Sequence, residues 1–392
     1  MKTLELTHEY KEYVIGLRRH FHMNPEPSTQ EFETAKRIRK ELDDMGIPYE
    51  VKFGTGTVAT IKGANKGKTV ALRGDIDALQ VEDITNVPYS SKVKGMNHAC
   101  GHDTHISMLL GAAKVLNEMK DEINGTVKLF FQPAEEMAVG AKGLIAEGAM
   151  EGVDNVFAIH IMSGFDVGKI ASGAGGRMAS CDSFKITVHG KGGHGSAPHE
   201  TVDAVYVASQ VVVNLQAIVS RMINPVDPAV VTCGSIHGGS RFNIIAQDAE
   251  IVGTTRCFSP KVRDQMEAMI EQIARGIAGT YGATIEYEYA RMAAPTVNEA
   301  NSVAVCEATV KELFGDDAYE EFPLMTGSED AGEYFEVAPE GGCLAAVGSR
   351  NKNKPGTSFP QHHPQYNVDE DALEKGTALY AQYALNYLNG KK

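Results

Sequence analysis

A short histidine-rich stretch, His98-Ala99-Cys100-Gly101-His102-Asp103-Thr104-His105, constrains this chain more than any other part of its sequence. Cysteine and histidine so close together, with a glycine that permits a tight bend between them, are typical ligands of transition metals. Further candidate ligands lie far along the chain, at Glu135, Glu136, His160 and His362. If all of these groups bind at one site, the first and last segments of the chain must fold together.

The composition is that of a globular protein and argues against several functional classes. At 392 residues, with 43% apolar and 22% charged residues, the chain is expected to form two domains. The net charge of −14 argues against nucleic-acid binding, which needs clustered Lys and Arg. No apolar run is long enough to span a membrane, and 1–10 lacks the apolar centre of a secretory signal. We therefore expect a cytoplasmic protein with neither a nucleic acid nor a membrane as partner.

The hydrophobic pattern predicts an α/β fold for both ends of the chain, with helices on both faces of a mixed sheet. The expected elements are helix 32–45, strand 69–75, helix 106–116, strand 127–132, strand 156–160, helix 299–314, strand 343–348 and helix 369–388. Gly46 suits the end of the first of these helices. The candidate ligands fall within or between these elements, so we expect them to belong to one domain.

The middle of the chain has a different order of predicted helices and strands. Its expected elements are strand 182–190, helix 201–222, strand 229–237, strand 244–256, helix 260–280 and strand 283–290. That βαββαβ order is typical of a ferredoxin-like unit. We therefore predict a discontinuous metal-binding domain, 1–180 and 292–392, into which 181–291 is inserted as a lid or dimerisation domain.

Each candidate ligand is ambiguous by itself, and their combination carries the prediction. Cys100 and His102 are two residues apart and can converge on one centre just before a helix. Glu135 and Glu136 follow a strand, so one carboxylate can bind a metal while the other faces a water molecule. Alone, this pair would be read as a solvated acidic pair, and His160 as a hydrogen-bonded core histidine.

Five motifs occur in an order that resembles the amidohydrolase branch of the aminoacylase and carboxypeptidase metallopeptidase family. They are Arg73-Gly74-Asp75-Ile76-Asp77-Ala78-Leu79, His98-Ala99-Cys100-Gly101-His102-Asp103, Gln132-Pro133-Ala134-Glu135-Glu136, His189-Gly190-Lys191-Gly192-Gly193-His194 and Gly327-Ser328-Glu329-Asp330. The resemblance extends from Arg19 to His362. Departures are mild: Gln80 and Ala246 replace the family's usual proline, and Asn97 its frequent methionine.

The resemblance implies a site for two divalent metal ions. The ligands carried over from the family are Cys100, His102, Glu136, His160 and His362. Cys100 would bridge the two ions, Glu135 would act as general base on a metal-activated water, and Asp75 would orient a ligand histidine. A set of Cys, His and Glu ligands suits zinc, manganese, cobalt or nickel, so the identity of the metal stays open.

Residues of the inserted domain are expected to contact the substrate. His194, in a glycine-rich loop, is the candidate donor to the tetrahedral oxyanion, either in its own subunit or across a dimer. The alternative for Gly192-Gly193-His194 is a flexible turn without a catalytic role. Asn243 and Arg256 are candidates for binding the α-carboxylate; Arg256 could instead form a structural ion pair, and Arg241 is its rival.

The expected activity is hydrolysis of the amide bond of N-acyl amino acids, such as N-acetyl amino acids, to a carboxylate and a free amino acid. The alternatives are a carboxypeptidase or dipeptidase acting on short peptides, and a metal-binding scaffold without turnover. The expected partners are the small-molecule acyl amino acid or peptide and further copies of this chain, as a homodimer or homotetramer. Exposed edges of the inserted sheet would form the contact between copies.

Overall fold

The structure is a computed structural model that describes residues 1–391. Within this range it contains ten α-helices and sixteen β-strands, numbered here in chain order. The helices are α1 (Lys2–Glu9), α2 (Lys11–Met23), α3 (Phe32–Met45), α4 (His102–Glu118), α5 (Gly140–Ala146), α6 (Ala204–Leu215), α7 (Pro260–Thr280), α8 (Ala300–Phe314), α9 (Ala331–Val337) and α10 (Asp371–Leu388). None of the helices in this range has the length and apolar character needed to cross a bilayer.

The strands within residues 1–391 range from two to twelve residues in length and are divided among four sheets. They are β1 (Tyr49–Lys52), β2 (Gly56–Lys62), β3 (Asn65–Asp75), β4 (Asn124–Gln132), β5 (Asn155–Asp166), β6 (Ile170–Ser172), β7 (Gly175–Met178), β8 (Cys181–His189), β9 (Gly193–His194), β10 (Ala229–Gly238), β11 (Ile244–Ile245), β12 (Asp248–Cys257), β13 (Thr284–Ala293), β14 (Thr296–Asn298), β15 (Tyr319–Glu321) and β16 (Gly342–Arg350).

The chain divides into two compact units. The first comprises Met1–Gly175, Val297–Pro323 and the segment from Asp330 onward, and the second comprises Gly176–Thr296 and Leu324–Glu329. The second unit is therefore five residues longer at each side than the predicted 181–291 segment, and it also takes in a short piece of the later chain.

The first unit is built on a mixed eight-stranded sheet with the order β1-β2-β4-β3-β5-β16-β6-β15. The central strands β4, β3, β5 and β16 run parallel. Leu129 and Phe131 of β4 belong to the large core that includes α4 and α10, whereas the intervening Phe130 packs on Tyr334 of α9. Because alternate side chains of a strand point to opposite faces, helices cover both faces of this sheet, as predicted.

Helix α4 lies at the centre of the first unit. The sequence pattern predicts one apolar face, but residues on every side of this helix are buried. The reason is that α2, α3 and α10 pack around it while it rests on β3. The residues at its N-terminus are consequently held in the core of this unit.

The second unit is a four-stranded antiparallel sheet with the order β10-β12-β8-β13, on which α6 and α7 pack. Its main elements follow the predicted βαββαβ order. The predicted strand 244–256 is in fact two strands, since β11 pairs with β9 and only β12 joins the main sheet. The predicted helix 201–222 ends as an α-helix at Leu215 and continues as a π-helical turn, Ile218–Met222.

Candidate metal centre

A tight turn at the start of α4 presents the first two predicted ligands. Gly101, between Cys100 and His102, has a φ of 96°. Cys100 and His102 are both buried. Since α4 begins at His102, this ligand is fixed to the central helix and Cys100 to the turn that precedes it.

The ring of His102 is held by the backbone of Asp77. His102 Nδ1 lies 2.9 Å from the carbonyl oxygen of Asp77, to which it donates its hydrogen. His102 Nε2 is buried and has no hydrogen-bond partner. A histidine whose Nδ1–H is occupied in this way offers the lone pair of Nε2 to a metal. Asp77 is not among the residues predicted for the site, although it lies two residues after Asp75 in the motif that begins at Arg73.

Asp75 holds a different histidine from the one the prediction requires. Its Oδ1 accepts a hydrogen bond from Nδ1 of His105 (2.5 Å), and its Oδ2 accepts one from Arg73 (2.7 Å). Nε2 of His105 in turn accepts the backbone N–H of Ile161 (2.8 Å), so both ring nitrogens of His105 are engaged. Asp75 therefore orients His105, which is not among the predicted ligands, and His102 depends on the Asp77 carbonyl instead.

His160 faces Cys100 from the neighbouring strand β5. The distance between His160 Nε2 and Cys100 Sγ is 3.5 Å. Nδ1 of His160 donates to the carbonyl oxygen of Ile161 (2.7 Å), which leaves Nε2 as the acceptor. Burial lowers the pKa of His160 to about 3, so its imidazole is neutral, the form that binds metal ions.

Glu136 and His362 complete the set from two loops. Glu136 Oε1 is buried without a hydrogen-bond partner, 4.0 Å from His102 Nε2 and 3.6 Å from His362 Nε2. His362 has a φ of 66°, and its backbone N–H donates to the carbonyl oxygen of Ala99 (2.8 Å). That bond attaches the late loop to the turn that carries Cys100.

The five predicted ligands form two overlapping clusters. One contains Cys100, His102 and His160, and the other contains Cys100, Glu136 and His362; within each, the candidate ligand atoms lie within 4.8 Å of one another. Cys100 belongs to both clusters, the arrangement that a thiolate shared by two ions would need. Glu135 lies at their margin, with Oε2 3.9 Å from His102 Nε2.

The electrostatics of this centre favour a bound cation. Burial, reinforced by the carboxylate of Glu136, raises the pKa of the Cys100 thiol well above its ordinary value. Burial also raises the pKa of Glu136 to about 7. A divalent cation would stabilise the anionic forms of both groups and would engage the unpartnered His102 Nε2 and Glu136 Oε1. The residues present therefore fit a dinuclear metal site.

In the second unit, His194 and Asn243 line one open cavity of about 690 Å³. The antiparallel pairing of β9 with β11 brings them together, since His194 pairs with Ile244. Nδ1 of His194 accepts the backbone N–H of Ser196 (3.1 Å). In the neutral ring the proton is therefore on Nε2, which is the tautomer an oxyanion donor requires.

Arg256 does not lie with these two residues. It is on β12, eight residues beyond Asp248, which lines the cavity. At about 3.3 Å per residue, eight residues of strand span roughly 26 Å. Asn243 and Arg256 of one chain therefore cannot bind the same carboxylate, so the prediction that groups them needs correction for a single chain.

Comparison with known proteins agrees with this geometry. Residues 71–386 match the peptidase family described as M20/M25/M40. Thermostable carboxypeptidase 2 of Saccharolobus solfataricus is 42% identical over 385 residues, which cover 97% of each chain. N-acetyl-L-cysteine deacetylase of Bacillus subtilis is 37% identical over 384 residues, covering 97% of this chain and 90% of the relative.

A solved structure has the same fold. It is a Bacillus subtilis protein described as a dinuclear metal-binding peptidase of the M20 family, with a TM-score of 0.85 and 32% identity, covering 97% of this chain and 99% of that one. The similarity extends over nearly the full length of both chains, and the candidate ligands of this chain converge on one centre. The chain therefore belongs to peptidase family M20/M25/M40, and it is a metal-dependent hydrolase of amide bonds.

Proposed function

We propose that this protein hydrolyses the amide bond of N-acyl amino acids, releasing a carboxylic acid and a free amino acid. The observation that carries the proposal is the position of Glu135. Its carboxylate lies beside His102 and Glu136 but outside both clusters that contain Cys100. Its side chain is only 11% exposed. A carboxylate next to a metal centre, and not needed to complete it, is placed to act as a general base.

Five side chains would hold two divalent ions at this centre: Cys100, His102, Glu136, His160 and His362. Bound divalent ions supply Lewis acidity and lower the pKa of water, which is the chemistry that amide hydrolysis needs. The chain contributes imidazoles at His102 and His160, each with its Nδ1–H held by a backbone carbonyl, and burial keeps the imidazole of His160 neutral. The ring orientations are therefore set before a ligand binds.

Glu135 would move the proton during the reaction. Its carboxylate accepts a proton from the attacking water as the new C–O bond forms, and then delivers it to the amide nitrogen as the C–N bond breaks. His194 would donate its Nε2–H to the oxyanion, since Ser196 holds Nδ1 as an acceptor. Asn243, which lines the same cavity, would contribute an amide donor to the substrate carboxylate.

A second candidate function is the release of amino acids from short peptides. It is favoured by the 42% identity to a carboxypeptidase over 97% of the chain. The two functions share the centre and differ in the group on the acyl side, a simple acyl chain or a peptide. A panel of N-acetyl amino acids, N-benzoyl amino acids and dipeptides, tested with zinc, manganese, cobalt and nickel, separates them. If only peptides with a free N-terminal amine are cleaved, the proposed function is wrong.

Glu135→Gln tests the role assigned to the base. We expect the variant to keep its fold and its metal content and to lose roughly a hundred- to ten-thousand-fold in kcat, the usual contribution of a general base. Metal analysis and steady-state kinetics on the best acyl amino acid measure both. Glu307→Gln, on the surface of α8, is the control and should behave as the wild type. Full activity in Glu135→Gln would refute the mechanism, and a wild type without turnover would favour the metal-binding scaffold.

We also propose that two copies associate through the second unit. Strand β10 is one edge of its sheet, and it exposes Val230 and Ile236. Val213 of the neighbouring helix α6 is 65% exposed. The opposite edge strand, β13, instead exposes Glu286 and Glu288, which disfavour pairing. The apolar edge is therefore the expected contact in a homodimer, and a dimer of dimers would need a further contact.

A further inference from the structure

We infer that Glu31 positions the loop that carries Glu135 and Glu136. This inference rests on the proposed function, because it assigns Glu31 a task at the same centre. Glu31 is fully buried just before α3, in a part of the chain remote in sequence from every proposed ligand. Its carboxylate accepts hydrogen bonds from two backbone N–H groups and one hydroxyl, so it would act on the loop through the backbone.

The carboxylate of Glu31 joins three separate turns. Its Oε1 accepts the backbone N–H of Thr29 (2.9 Å) and the backbone N–H of Ala134 (2.9 Å). Its Oε2 accepts the hydroxyl of Thr55 (2.7 Å). A carboxylate with three donors in a buried place is a strong local anchor, because each bond is charge-assisted and none competes with water.

The bond to Ala134 acts at a strained residue of the loop. Ala134 has a φ of 53°, in the left-handed region that a residue with a Cβ rarely adopts. It directly precedes Glu135. Without a hydrogen bond from another segment, an alanine would tend to return to a right-handed or extended conformation. The side chains of the following two residues would then point away from the metal centre. Glu31 accepts the N–H of the strained residue itself.

A second anchor follows two residues later. Asp77 Oδ2 accepts the backbone N–H of Glu136 (3.1 Å), and the same oxygen accepts the hydroxyl of Ser28 (2.7 Å). Glu135 thus lies between two carboxylate-bound N–H groups, and its direction depends on both. Ser28 and Glu31 both belong to the segment before α3. This segment therefore reaches the loop at Ala134 through Glu31 and at Glu136 through Asp77. The bonds to the N–H groups of Ala134 and Glu136 together fix the backbone of the loop on both sides of Glu135.

Substitution of Glu31 by Ala and by Gln tests the inference. Glu31→Ala removes the anchor, and we expect kcat on the best N-acyl amino acid to fall at least about tenfold while KM changes less than about threefold. Glu31→Gln can keep all three bonds, because its amide oxygen accepts both N–H groups and its NH₂ donates to a rotated Thr55 hydroxyl. Since Glu31→Gln keeps the anchor and loses only the charge, it should retain most of the activity.

A rescue variant separates positioning from general stability. Glycine adopts the left-handed region without strain, so Ala134→Gly in the Glu31→Ala background should raise kcat severalfold over Glu31→Ala alone. Glu41→Ala is the matched control: Glu41 is a buried carboxylate of α3 that accepts the Tyr13 hydroxyl and the Arg37 guanidinium, away from the loop. It should lower the melting temperature and leave kcat unchanged.

Release of Zn²⁺ to a chromogenic chelator provides a readout that does not require turnover. Because Glu136 is on the same loop, Glu31→Ala should release zinc faster than the wild type, and Glu41→Ala should not. If Glu31→Ala keeps the wild-type kcat and rate of zinc release, the inference is wrong. It is also wrong if the kcat of Glu31→Gln is as low as that of Glu31→Ala. Should Glu31→Ala not fold, Thr55→Val, which removes only the hydroxyl bond, must give the same faster zinc release for the inference to stand. Absence of turnover in the wild type would overturn the proposed function and leave the zinc comparison valid.

Discussion

Gly101 shows how a single residue controls the metal centre. Its φ of 96° turns the chain between two proposed ligands. A Cβ at this position would lie 2.3 Å from Cγ2 of Ile161 and 2.9 Å from the hydroxyl of Tyr366. Both neighbours are buried, so neither has space to move away. The glycine is thus required twice, by the backbone conformation and by the packing around it.

Gly101→Ala should therefore be strongly destabilising. The left-handed conformation costs a residue with a Cβ about 1–2 kcal/mol, and overpacking a core costs about 1–3 kcal/mol, so we expect a loss of roughly 2–5 kcal/mol in unfolding free energy. Chemical denaturation measures this loss. Gly16→Ala is the matched control, because Gly16 lies inside α2 with nothing within 4 Å of a Cβ. The control should gain about 0.5–1 kcal/mol, and equal effects would show that the Gly101 site can relax.

The histidines show what residue patterns alone determine. The sequence places His98, His102 and His105 close together and offers His102 and His160 as ligands. In the structure, His98 is fully buried, and the ring nitrogens of His105 are taken by Asp75 and by the backbone of Ile161. Only contacts between residues distant in the chain decide which nitrogen keeps a free lone pair. Residue type and spacing therefore predicted the chemistry of the site but not the partner of each ring.

At the scale of elements, helix α7 is tied to the sheet of the second unit by a buried ion pair. Arg263 donates to both carboxylate oxygens of Asp182, the second residue of β8 (2.9 and 2.6 Å). Asp182 also accepts the hydroxyl of Tyr289 from β13 (3.0 Å) and the backbone N–H of Met292 (3.2 Å). One buried carboxylate thus connects a helix and two strands.

Arg263→Ala should unfold this unit more readily. The substitution leaves the Asp182 charge buried without its cation, which typically costs about 3–5 kcal/mol. Hydrogen exchange in α7 and β13 reports the loss locally. Lys261→Ala in the same helix is the control, because Lys261 is an exposed cation of α7 and its loss leaves no buried charge. Similar exchange in the two variants would mean that the buried pair does not secure α7.

The element order was predictable because hydrophobic periodicity is local. Helix 32–45, with its end at Gly46, and helix 260–280 have the bounds observed for α3 and α7. The division of 244–256 into β11 and β12 was not predictable, since neither Pro nor Gly interrupts the chain between Ile245 and Asp248. The break arises from the separate partners of the two strands, β9 for one and β8 and β10 for the other.

At the scale of the whole molecule, Asn243 and Arg256 could hold one substrate only if two chains contribute to the site. Asn243 lines a cavity with Asp248, the first residue of β12, whereas Arg256 lies eight residues further along this strand, so a carboxylate that contacts both must contact two chains. The apolar edge formed by β10 and α6 provides the expected contact. The oligomeric state therefore bears directly on how the proposed substrate is held.

Val213→Glu should weaken this association. A charge in the centre of an apolar contact loses its hydration when the dimer forms and gains no ion-pair partner. We therefore expect the dimer dissociation constant to rise about tenfold or more. Sedimentation velocity over a range of concentrations measures the change. Ala290→Glu places the same charge on the opposite edge strand and should leave the dimer intact. A wild type that is monomeric at every concentration would exclude the proposed contact.

The sequence by itself determined the types of ligand, their order along the chain, the two kinds of domain and the family, because spacing, periodicity and motifs are properties of the chain. It also placed Glu135 next to Glu136, the adjacency on which the proposed chemistry depends. Only the tertiary structure decided that Cys100 belongs to two clusters, that Asp77 rather than Asp75 holds His102, and that Glu31 reaches the loop before Glu135. These facts depend on distances between segments far apart in sequence, which packing of the core sets and local pattern does not encode.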